Sequence, residues 1–322
     1  MAGTTNSGLV NFISNPPVIF PENSITIDIF GNTFYRDYSF GAGDDTGVYW
    51  STENHYSSAT MKFFAIAMSK AVHQKFDFGK KLRSSQSLNF KMQLPTENGK
   101  IDFHFMESFI ADLELERILK LESYLSEVGL NDYELTEKEK KALESFDNLS
   151  WSVFNLEDLF GTSTRGKRLK SADRIEGTLP FITAGETDEG VSAFIGNDVV
   201  VFPENTITID MFGSAKYRNF KYGGDDHIAV VHTNTLPKYA SVFVAAAIHK
   251  SSYNGQFNYG RNFYAKDADA LNISLPVKDS KPDYETMEAV VSAIHKLVIK
   301  DVVLYVERKK TELSFAATQE FQ

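Results

Sequence analysis

Paired acidic residues beside glycines are the first groups in this chain that could bind a metal ion. They occur at Gly41–Asp45 and again at Gly223–His227. Carboxylates bind hard cations, and an imidazole would add a nitrogen ligand. Only the second copy offers a histidine, His227, and the first has Thr46 at that position. We therefore favour glycine turns that lead into strands, and we predict no metal site.

Catalytic motifs are the second possibility. Asn15–Val18 resembles the Asn-Pro-Pro-aromatic motif of DNA amino-methyltransferases, but Val18 is not aromatic and the second copy reads Asn197-Asp-Val199. The sequence has no glycine-rich strand–turn–helix pattern for a methyl-donor cofactor, and no Gly-x-Ser-x-Gly, His-Glu-x-x-His or phosphate-binding loop. We interpret Asn15–Val18 as a turn, and we predict no catalytic residue and no enzymatic activity.

Three basic loops, residues 76–83, 165–170 and 256–264, combine lysine and arginine with Asn, Gln or aromatic side chains. Lysine and arginine bind phosphates and guanine edges, Asn and Gln bind adenine, and aromatic rings contact sugars or thymine methyl groups. One such loop alone is often an ordinary solvated surface, but here similar loops recur at matching positions. The predicted DNA-binding residues are Arg36, Lys80, Lys81, Arg83, Lys167, Arg168, Lys170, Lys216, Tyr217, Arg218, Arg261 and Asn262.

These loops belong to a long internal repeat. Phe20–Gly31 returns as Phe202–Gly213 with ten of twelve residues identical. Its alternating apolar residues have the period of a half-buried strand, and a glycine turn follows. The agreement extends at a nearly constant offset from Ala2-Gly3 to Met106-Glu107. Because the repeat is far longer than a solenoid unit, the sequence predicts two tandem domains.

Helices are predicted around these repeats. Apolar residues recur at three- and four-residue spacing from about 102 to 127 and from 283 to about 313. The first of these helices would be a rod of roughly 37 Å. A shorter helix is predicted at about 58–73, and a capping box at Thr136–Glu139 begins another. Residues 151–183 have no counterpart in the first copy.

Composition narrows the class of protein. With 322 residues, 42% of them hydrophobic, the chain can bury two ordinary cores. It has no cysteine for a disulfide framework, no apolar run long enough for a bilayer, and a small polar segment after Met1 instead of a signal peptide. We therefore predict a cytoplasmic protein. The net charge of −10 is segregated, because residues 127–147 are acidic whereas 75–91 are basic.

Taken in order, these features resemble a specificity subunit of type I restriction-modification systems, or of the related type IIB enzymes. The resemblance covers essentially the whole chain. Each motif is weakly specific by itself, and the resemblance rests on the order and duplication of the motifs. The motifs are Trp151-x-x-Phe-x-Leu-x-x-Leu-Phe160 with Gly166–Leu169 and Leu179–Ile182, then Asp225–Ala229 with Phe257–Arg261 and Leu275-Pro276, and the linker Asp132–Thr136.

The resemblance implies an α+β fold with two target-recognition domains and two long antiparallel helices. On this reading residues 1–100 are the first recognition domain, without its opening strands, and 101–150 are the first long helix and linker. Residues 151–281 are the second recognition domain, and 282–322 are the second long helix and tail. The missing strands suggest a truncation, a fragment or a permuted order.

For function, the resemblance implies that each recognition domain reads one half of a bipartite site in double-stranded DNA. The long helices would set the spacing and dock methyltransferase subunits, with a nuclease subunit as a further partner. S-adenosylmethionine is expected on the methyltransferase subunit, and no cofactor on this chain. The rod of roughly 37 Å is close to one duplex turn of about 34–36 Å.

Two other classes of function remain open at this stage. One is a tandem-repeat module that binds a protein or a carbohydrate through its aromatic loops. Its affinity would be insensitive to salt, whereas phosphate contacts make DNA binding steeply salt-dependent. The other is a hydrolase that uses a metal at the Gly-Asp-Asp turns, which would require tight metal binding by the isolated chain.

Overall fold

The computed structural model describes residues 1–87 and 89–319, which divide into two compact units. The first unit contains Met1–Val128 and the residues from Leu304 onward, and the second contains Gly129–Val303. Both units combine small sheets with helices, so the predicted α+β class is confirmed. In the described residues, no helix is long and apolar enough to cross a bilayer.

The first unit is built on a three-stranded sheet with the strand order β2-β1-β3. Helix α1 packs against this sheet and against the long helix α3, and β4 and β5 form a short hairpin before α3. Its elements are β1 (Ser24–Asp28), β2 (Thr33–Arg36), β3 (Thr46–Tyr49), α1 (Ser58–Val72), α2 (Ser84–Ser87), β4 (Thr96–Glu97), β5 (Lys100–Ile101) and α3 (Phe103–Glu127).

The second unit has three sheets, with the orders β10-β13-β8-β9, β12-β11-β14-β7 and β16-β15-β6. Its elements are α4 (Glu137–Glu144), β6 (Trp151–Asn155), α5 (Leu156–Phe160), β7 (Thr164–Arg165), β8 (Glu176–Ile182), β9 (Val191–Ile195), β10 (Val201–Phe202), β11 (Thr206–Asp210), β12 (Ala215–Arg218), β13 (Tyr222–Gly224), β14 (Ile228–Val231), α6 (Lys238–Ser252), α7 (Ala265–Asp269), β15 (Asn272–Lys278), β16 (Lys281–Pro282) and α8 (Tyr284–Gln319), whose residues from Leu304 onward belong to the first unit.

The repeated segment forms the central strand of a sheet in each unit. β1 pairs antiparallel with β2 and β3, and β11 pairs in the same way with β12 and β14. Every residue of both central strands is buried, so the prediction of half-buried strands was wrong. Burial of the central threonines is tolerated because Thr26 and Thr208 accept hydrogen bonds from the guanidinium groups of Arg36 and Arg218.

A turn of the same construction ends each central strand. The Asp210 carboxylate accepts hydrogen bonds from the backbone amides of Phe212 and Ser214, and Asp28 binds the matching amides in the first unit. Gly213 has φ +86°, and a Cβ there would lie 2.3 Å from the Ser252 carbonyl oxygen. Only glycine fits such a position, which explains why the repeat ends on this residue.

Residues 151–183, which lack a counterpart in the first copy, complete the sheets of the second unit. β6 pairs with β15, β7 pairs with β14, and β8 pairs with β13. The main core of this unit lies between these sheets and α6 and contains Ile207, Ile209, Val244, Ile273 and Leu275. The described part of the first unit contains no strand equivalent to β6, β7 or β8.

The predicted helices are confirmed at their starts. Asp102 caps α3 and Thr136 begins α4 with the predicted capping box. The helix predicted at 58–73 is α1, which begins after the Ser57 cap. The second long helix starts next to the predicted position but continues to Gln319, six residues past the predicted end.

Candidate nucleic-acid interface

Two matching turns project an aromatic ring from the two units. In residues 76–80 the Asp77 side chain accepts hydrogen bonds from the backbone amides of Gly79 and Lys80. In residues 257–261 the Asn258 side chain accepts from Gly260 and Arg261 in the same way. Asp and Asn both favour this local turn, so the substitution between the repeats keeps the geometry. We call these two segments the aromatic turns.

The ring at the tip of each aromatic turn is almost fully exposed. Phe78 is 82% exposed and Tyr259 is 85% exposed. Each ring rests on the phenylalanine of the turn that ends the central strand, Phe30 at 6.2 Å and Phe212 at 5.2 Å between centroids. A large exposed ring held by a second ring is a rigid apolar contact surface in an otherwise polar loop.

Residues 165–170 form a basic loop that is held close to the sheet. The backbone amide of Lys167 donates a hydrogen bond to the Gly224 carbonyl, and Gly166 donates to Ile228. A Cβ at Gly166 would lie 1.9 Å from the Gly224 carbonyl oxygen, so this close approach requires glycine. We call residues 165–170 the basic loop.

The basic loop and the aromatic turn of the second unit lie at the same end of the sheet. Ile228, the first residue of β14, pairs with Asp210, the last residue of β11. The turn that begins at Asp210 contains Phe212, which supports the Tyr259 ring. Gly166 binds Ile228 from the opposite side, because β7 is the next strand of this sheet. Two strand spacings are about 10 Å, which is within the width of a DNA major groove.

The cations at these loops differ in how they are engaged. The side chains of Lys167, Arg168 and Lys170 are exposed and make no hydrogen bond or ion pair within the described part of the chain. Lys80 lies over the Phe76 ring and Lys81 over the Phe78 ring, with the nitrogens 6.0 and 5.1 Å from the centroids. Lys81 is half-buried and the other cations named here are exposed, and none of them pairs with an acidic residue in the described part of the chain, so they remain available for an anionic partner.

Arg261 is exposed but forms an ion pair. Its guanidinium donates to both carboxylate oxygens of Asp267, at 2.6 and 3.3 Å, and lies over the Phe257 ring. The hydrogen bonds that the guanidinium donates to Asp267 raise the pKa of Arg261, so the group stays charged. Asp267 fixes the orientation of the guanidinium, and an exposed ion pair of this type contributes little to stability.

Comparison with known proteins decides the family. The model of the type I restriction modification DNA specificity domain matches residues 2–123 and 148–304, which together cover both copies of the repeat. The chain belongs to this family. The family that the sequence predicted is therefore confirmed.

One curated relative of this specificity-domain protein is the specificity subunit of the type II restriction enzyme BgcI from Heyndrickxia coagulans, 25% identical over 228 residues. The match covers 70% of this chain but only 63% of that relative's length. A solved S subunit of a type I restriction-modification system from M. genitalium is 16% identical, with a TM-score of 0.54 over 93% of this chain and 82% of that one. This likeness shows the shared fold.

Two predicted DNA-binding arginines of this specificity-domain protein are inside the fold. Arg218 is 1% exposed and donates to Thr208 and to the Glu189 carbonyl, and burial lowers its pKa. Arg36 is 8% exposed and binds Thr26 and the Ser7 carbonyl. The structure therefore corrects the assignment of both, because their charges hold neighbouring loops against the central strand.

Three other predicted DNA-binding residues, Lys216, Tyr217 and Asn262, are also partly covered or engaged within the fold. The Lys216 ammonium lies 3.1 Å from Glu186 and donates to the Ser214 hydroxyl. Tyr217 is half-buried on the core, and burial raises its pKa. Asn262 is half-buried beside Tyr264. These residues are less available to a ligand than the basic loop.

The groups first considered for a metal lie close together in the second unit. The ligand atoms of Asp225, Asp226 and His227 are all within 4.8 Å of one another. Asp225 accepts a hydrogen bond from the backbone amide of Leu169, and His227 lies 3.3 Å from Asp226. Asp225 thus connects the glycine turn to the basic loop, which is a structural task that needs no ion.

The candidate residues from the sequence omitted the two most exposed rings of the aromatic turns. Phe78 and Tyr259 stand at the same position of the repeat, in Phe-Asp-Phe-Gly-Lys and Phe-Asn-Tyr-Gly-Arg. That shared position was the available signal. It did not indicate which of the two rings in each motif is buried, and Phe257 packs on Phe263 while Tyr259 faces solvent.

Proposed function

We propose that this chain is the sequence-specific DNA-recognition subunit of a restriction-modification complex, with each unit reading one half of a bipartite site. The observation that carries the proposal is the match of a DNA specificity family to both copies of a repeat that has an exposed aromatic turn in each unit. The loops of the second unit share one end of a sheet, as a groove reader requires.

In the second unit, Lys167, Arg168 and Lys170 contact phosphates or guanine edges, and Tyr259 contacts a sugar or a thymine methyl group. Their exposure and lack of acidic partners support these roles. Arg261 is presented by Asp267 in a fixed orientation, which favours a bidentate contact over a loose one.

In the first unit, Lys80, Lys81 and Arg83 have the corresponding roles beside Phe78. The two lysines lie over aromatic rings of their own turn, which holds their charges near the tip. This unit has no described counterpart of the basic loop, so the aromatic turn carries a larger share of its contacts.

Methyltransferase subunits are the proposed protein partners, with a nuclease subunit in complexes that also cleave DNA. The long helices α3 and α8 dock these subunits and set the spacing between half-sites. S-adenosylmethionine binds to the methyltransferase and not to this chain. The relative named as a specificity subunit of a type II restriction enzyme supports a role as one component of such a complex.

The proposal is tested by DNA binding of the complex assembled with its methyltransferase, measured as a function of salt. A base-reading arginine replaced by alanine lowers affinity by about 1–3 kcal/mol and relaxes one position of the site. A phosphate-contacting lysine replaced by alanine weakens binding to all sequences and reduces the salt slope by about one. We expect Arg168→Ala and Arg261→Ala to show the first behaviour and Lys167→Ala the second.

Lys281→Ala is the matched control, because Lys281 is an exposed lysine on the β15–β16 hairpin. It should leave affinity and salt slope unchanged. Unchanged binding by both Arg168→Ala and Arg261→Ala would exclude these loops as the interface. Binding that does not depend on salt would instead favour a protein- or carbohydrate-binding module.

A further inference from the structure

The turn that leads into β14 lies between the basic loop and the aromatic turn of the second unit. The Ile228 amide closes this turn by donating a hydrogen bond to the Asp225 carbonyl at 3.1 Å. On one side, the Leu169 amide of the basic loop donates to the Asp225 side chain. On the other side, Ile228 pairs with Asp210, which begins the turn that supports the exposed ring. His227 precedes Ile228 and therefore lies between the two loops proposed to contact DNA.

His227 is held beside a carboxylate in this turn. Its Nδ1 lies 3.3 Å from Oδ1 of Asp226, and this oxygen is buried without a hydrogen-bond partner in the described part of the chain. A neutral imidazole turns its N–H toward such an oxygen, because a nitrogen lone pair there would repel it. Nε2 is then the acceptor of the ring. The two side chains are 33% and 31% exposed, so a ligand can reach them.

An acceptor at this place selects among the groups that DNA presents. The exposed cations of the basic loop attract phosphates, whereas an acceptor beside a carboxylate does not bind them. In the major groove, the donors on the base edges are the exocyclic amino groups of adenine and cytosine. Guanine offers N7 and O6, which are acceptors. His227 in its neutral form therefore fits an amino group, and neither a phosphate nor a guanine edge.

The first unit has a different side chain at the position of His227. Thr46 pairs with the last residue of β1, as Ile228 pairs with the last residue of β11. This strand register aligns Asp45, and not Thr46, with His227. The preceding residue is an aspartate in both units, so the imidazole is what distinguishes the two turns at this position. Two units with the same fold need such a difference to read half-sites of different sequence.

We propose that His227 is a specificity-determining residue of the second unit, and that its Nε2 accepts a hydrogen bond from the exocyclic amino group of an adenine or a cytosine. Asp226 is a positioning residue, because its carboxylate holds the N–H side of the ring. The basic loop binds the backbone of the duplex beside it, and His227 sets the base at one position of the half-site. This inference rests on the proposed DNA-recognition function.

The test is selection from randomised DNA by the full chain assembled with its methyltransferase. The wild type should select adenine or cytosine at the affected position, and the result shows which of the two is read. His227→Ala should reduce the preference at that position by about tenfold and leave the other positions and the salt slope unchanged. His55→Ala is the matched control, because His55 is exposed and follows β3, away from both aromatic turns. It should select the same motif as the wild type.

A second measurement removes the amino group from the DNA. The selected base is replaced by its analogue without that group, purine for adenine or 2-pyrimidinone for cytosine. The wild type should bind this DNA about tenfold more weakly than the unmodified site. His227→Ala should bind both DNAs equally, because the two changes remove the same contact. A role of His227 in the turn alone would not produce this coupling.

Other outcomes would overturn the role of His227. An unchanged motif with His227→Ala, in a complex whose wild type selects one, contradicts this role and leaves the proposed function intact. A wild type that selects no motif contradicts the proposed function itself. Equal loss at all positions with a lower melting temperature means that His227 only holds the turn. Selection of guanine or thymine excludes the amino group, and a preference abolished by EDTA means that an ion bound by Asp225, Asp226 and His227 replaces the direct contact.

Discussion

Gly166 decides at the residue scale whether the basic loop can lie against the sheet. A Cβ at this position would lie 1.9 Å from the Gly224 carbonyl oxygen and 2.5 Å from the Asp225 carbonyl oxygen. Backbone atoms of a paired strand cannot move aside as the end of a flexible side chain can. A single methyl group would therefore displace the loop or distort β13.

We expect Gly166→Ala to lower the free energy of unfolding by about 1–3 kcal/mol, as overpacking does, and to weaken DNA binding. Thermal denaturation and DNA titration measure the two effects. Gly43→Ala is the control, because the nearest atom to its Cβ would be 3.6 Å away. Equal stability and equal DNA affinity of Gly166→Ala and the wild type would show that the loop does not need this approach.

Arg218 shows that residue type and place in the sequence do not by themselves identify a DNA contact. An arginine after a tyrosine at a strand end suggests a phosphate contact, and the same pair occurs at Tyr35-Arg36. Both arginines instead bind a threonine of the central strand and the carbonyl of a loop residue. A buried charge is tolerated only with such partners, so the repetition reflects a structural requirement.

At the scale of elements, α4 is held to α8 by a network around Glu139. Its carboxylate accepts hydrogen bonds from Ser292 and Thr136 and lies 3.3 Å from the Lys296 ammonium. Burial alone would raise the pKa of Glu139, but these hydrogen bonds outweigh it and lower the pKa to about 2. Lys296 also pairs with Asp132, and its pKa is raised by that bond and by Glu139.

This network predicts how stability depends on pH. A carboxyl group with a lowered pKa in the folded state stabilises the fold above its unfolded pKa of about 4.3, and the stabilisation is lost as the pH falls toward 2. Glu139→Gln should therefore be less stable than the wild type by about 1–3 kcal/mol at pH 7, with the difference shrinking below pH 4. Urea denaturation followed by tryptophan fluorescence measures it, and Trp151 reports on the second unit.

Glu137→Gln provides the comparison for this prediction. Glu137 is on the same helix but is exposed, and it pairs with Lys140 on the helix surface. Its replacement should change stability much less at every pH. A difference between Glu139→Gln and the wild type that is constant from pH 7 to pH 3 would contradict the role of the ionised carboxylate.

At the scale of the whole molecule, the aromatic turns give each unit its own exposed aromatic surface. Phe78 and Tyr259 occupy the same position of the repeat, rest on equivalent phenylalanines and are almost equally exposed. If the units read separate half-sites, a change in one ring affects one half-site and leaves the other unchanged. Additivity is expected for distant and independent sites.

We expect Phe78→Ala and Tyr259→Ala to relax different halves of one bipartite DNA site, each by about tenfold at the affected positions. Selection from randomised DNA by the assembled complex measures the preference at every position. The double variant should combine the two effects. Loss of preference in the same half-site from both single variants would show that the units do not read separate halves.

Much of the fold could be predicted from local pattern. The repeat, the α+β class and the starts of α3 and α4 depend on period, capping and glycine turns within short segments. The full burial of β1 and β11 could not be predicted in this way, because it depends on which elements cover both faces of the sheet. The apolar spacing of α8 also does not indicate that the helix continues past the predicted end to Gln319.

The sequence by itself determined a duplicated protein with basic and aromatic loops at matching positions, because these properties depend on residue type and order. The tertiary structure decided which members of those loops are available. Burial removed Arg36 and Arg218 from the surface, and strand pairing brought the basic loop and Tyr259 to one end of a sheet. Exposure depends on residues distant along the chain, and no local pattern contains that information.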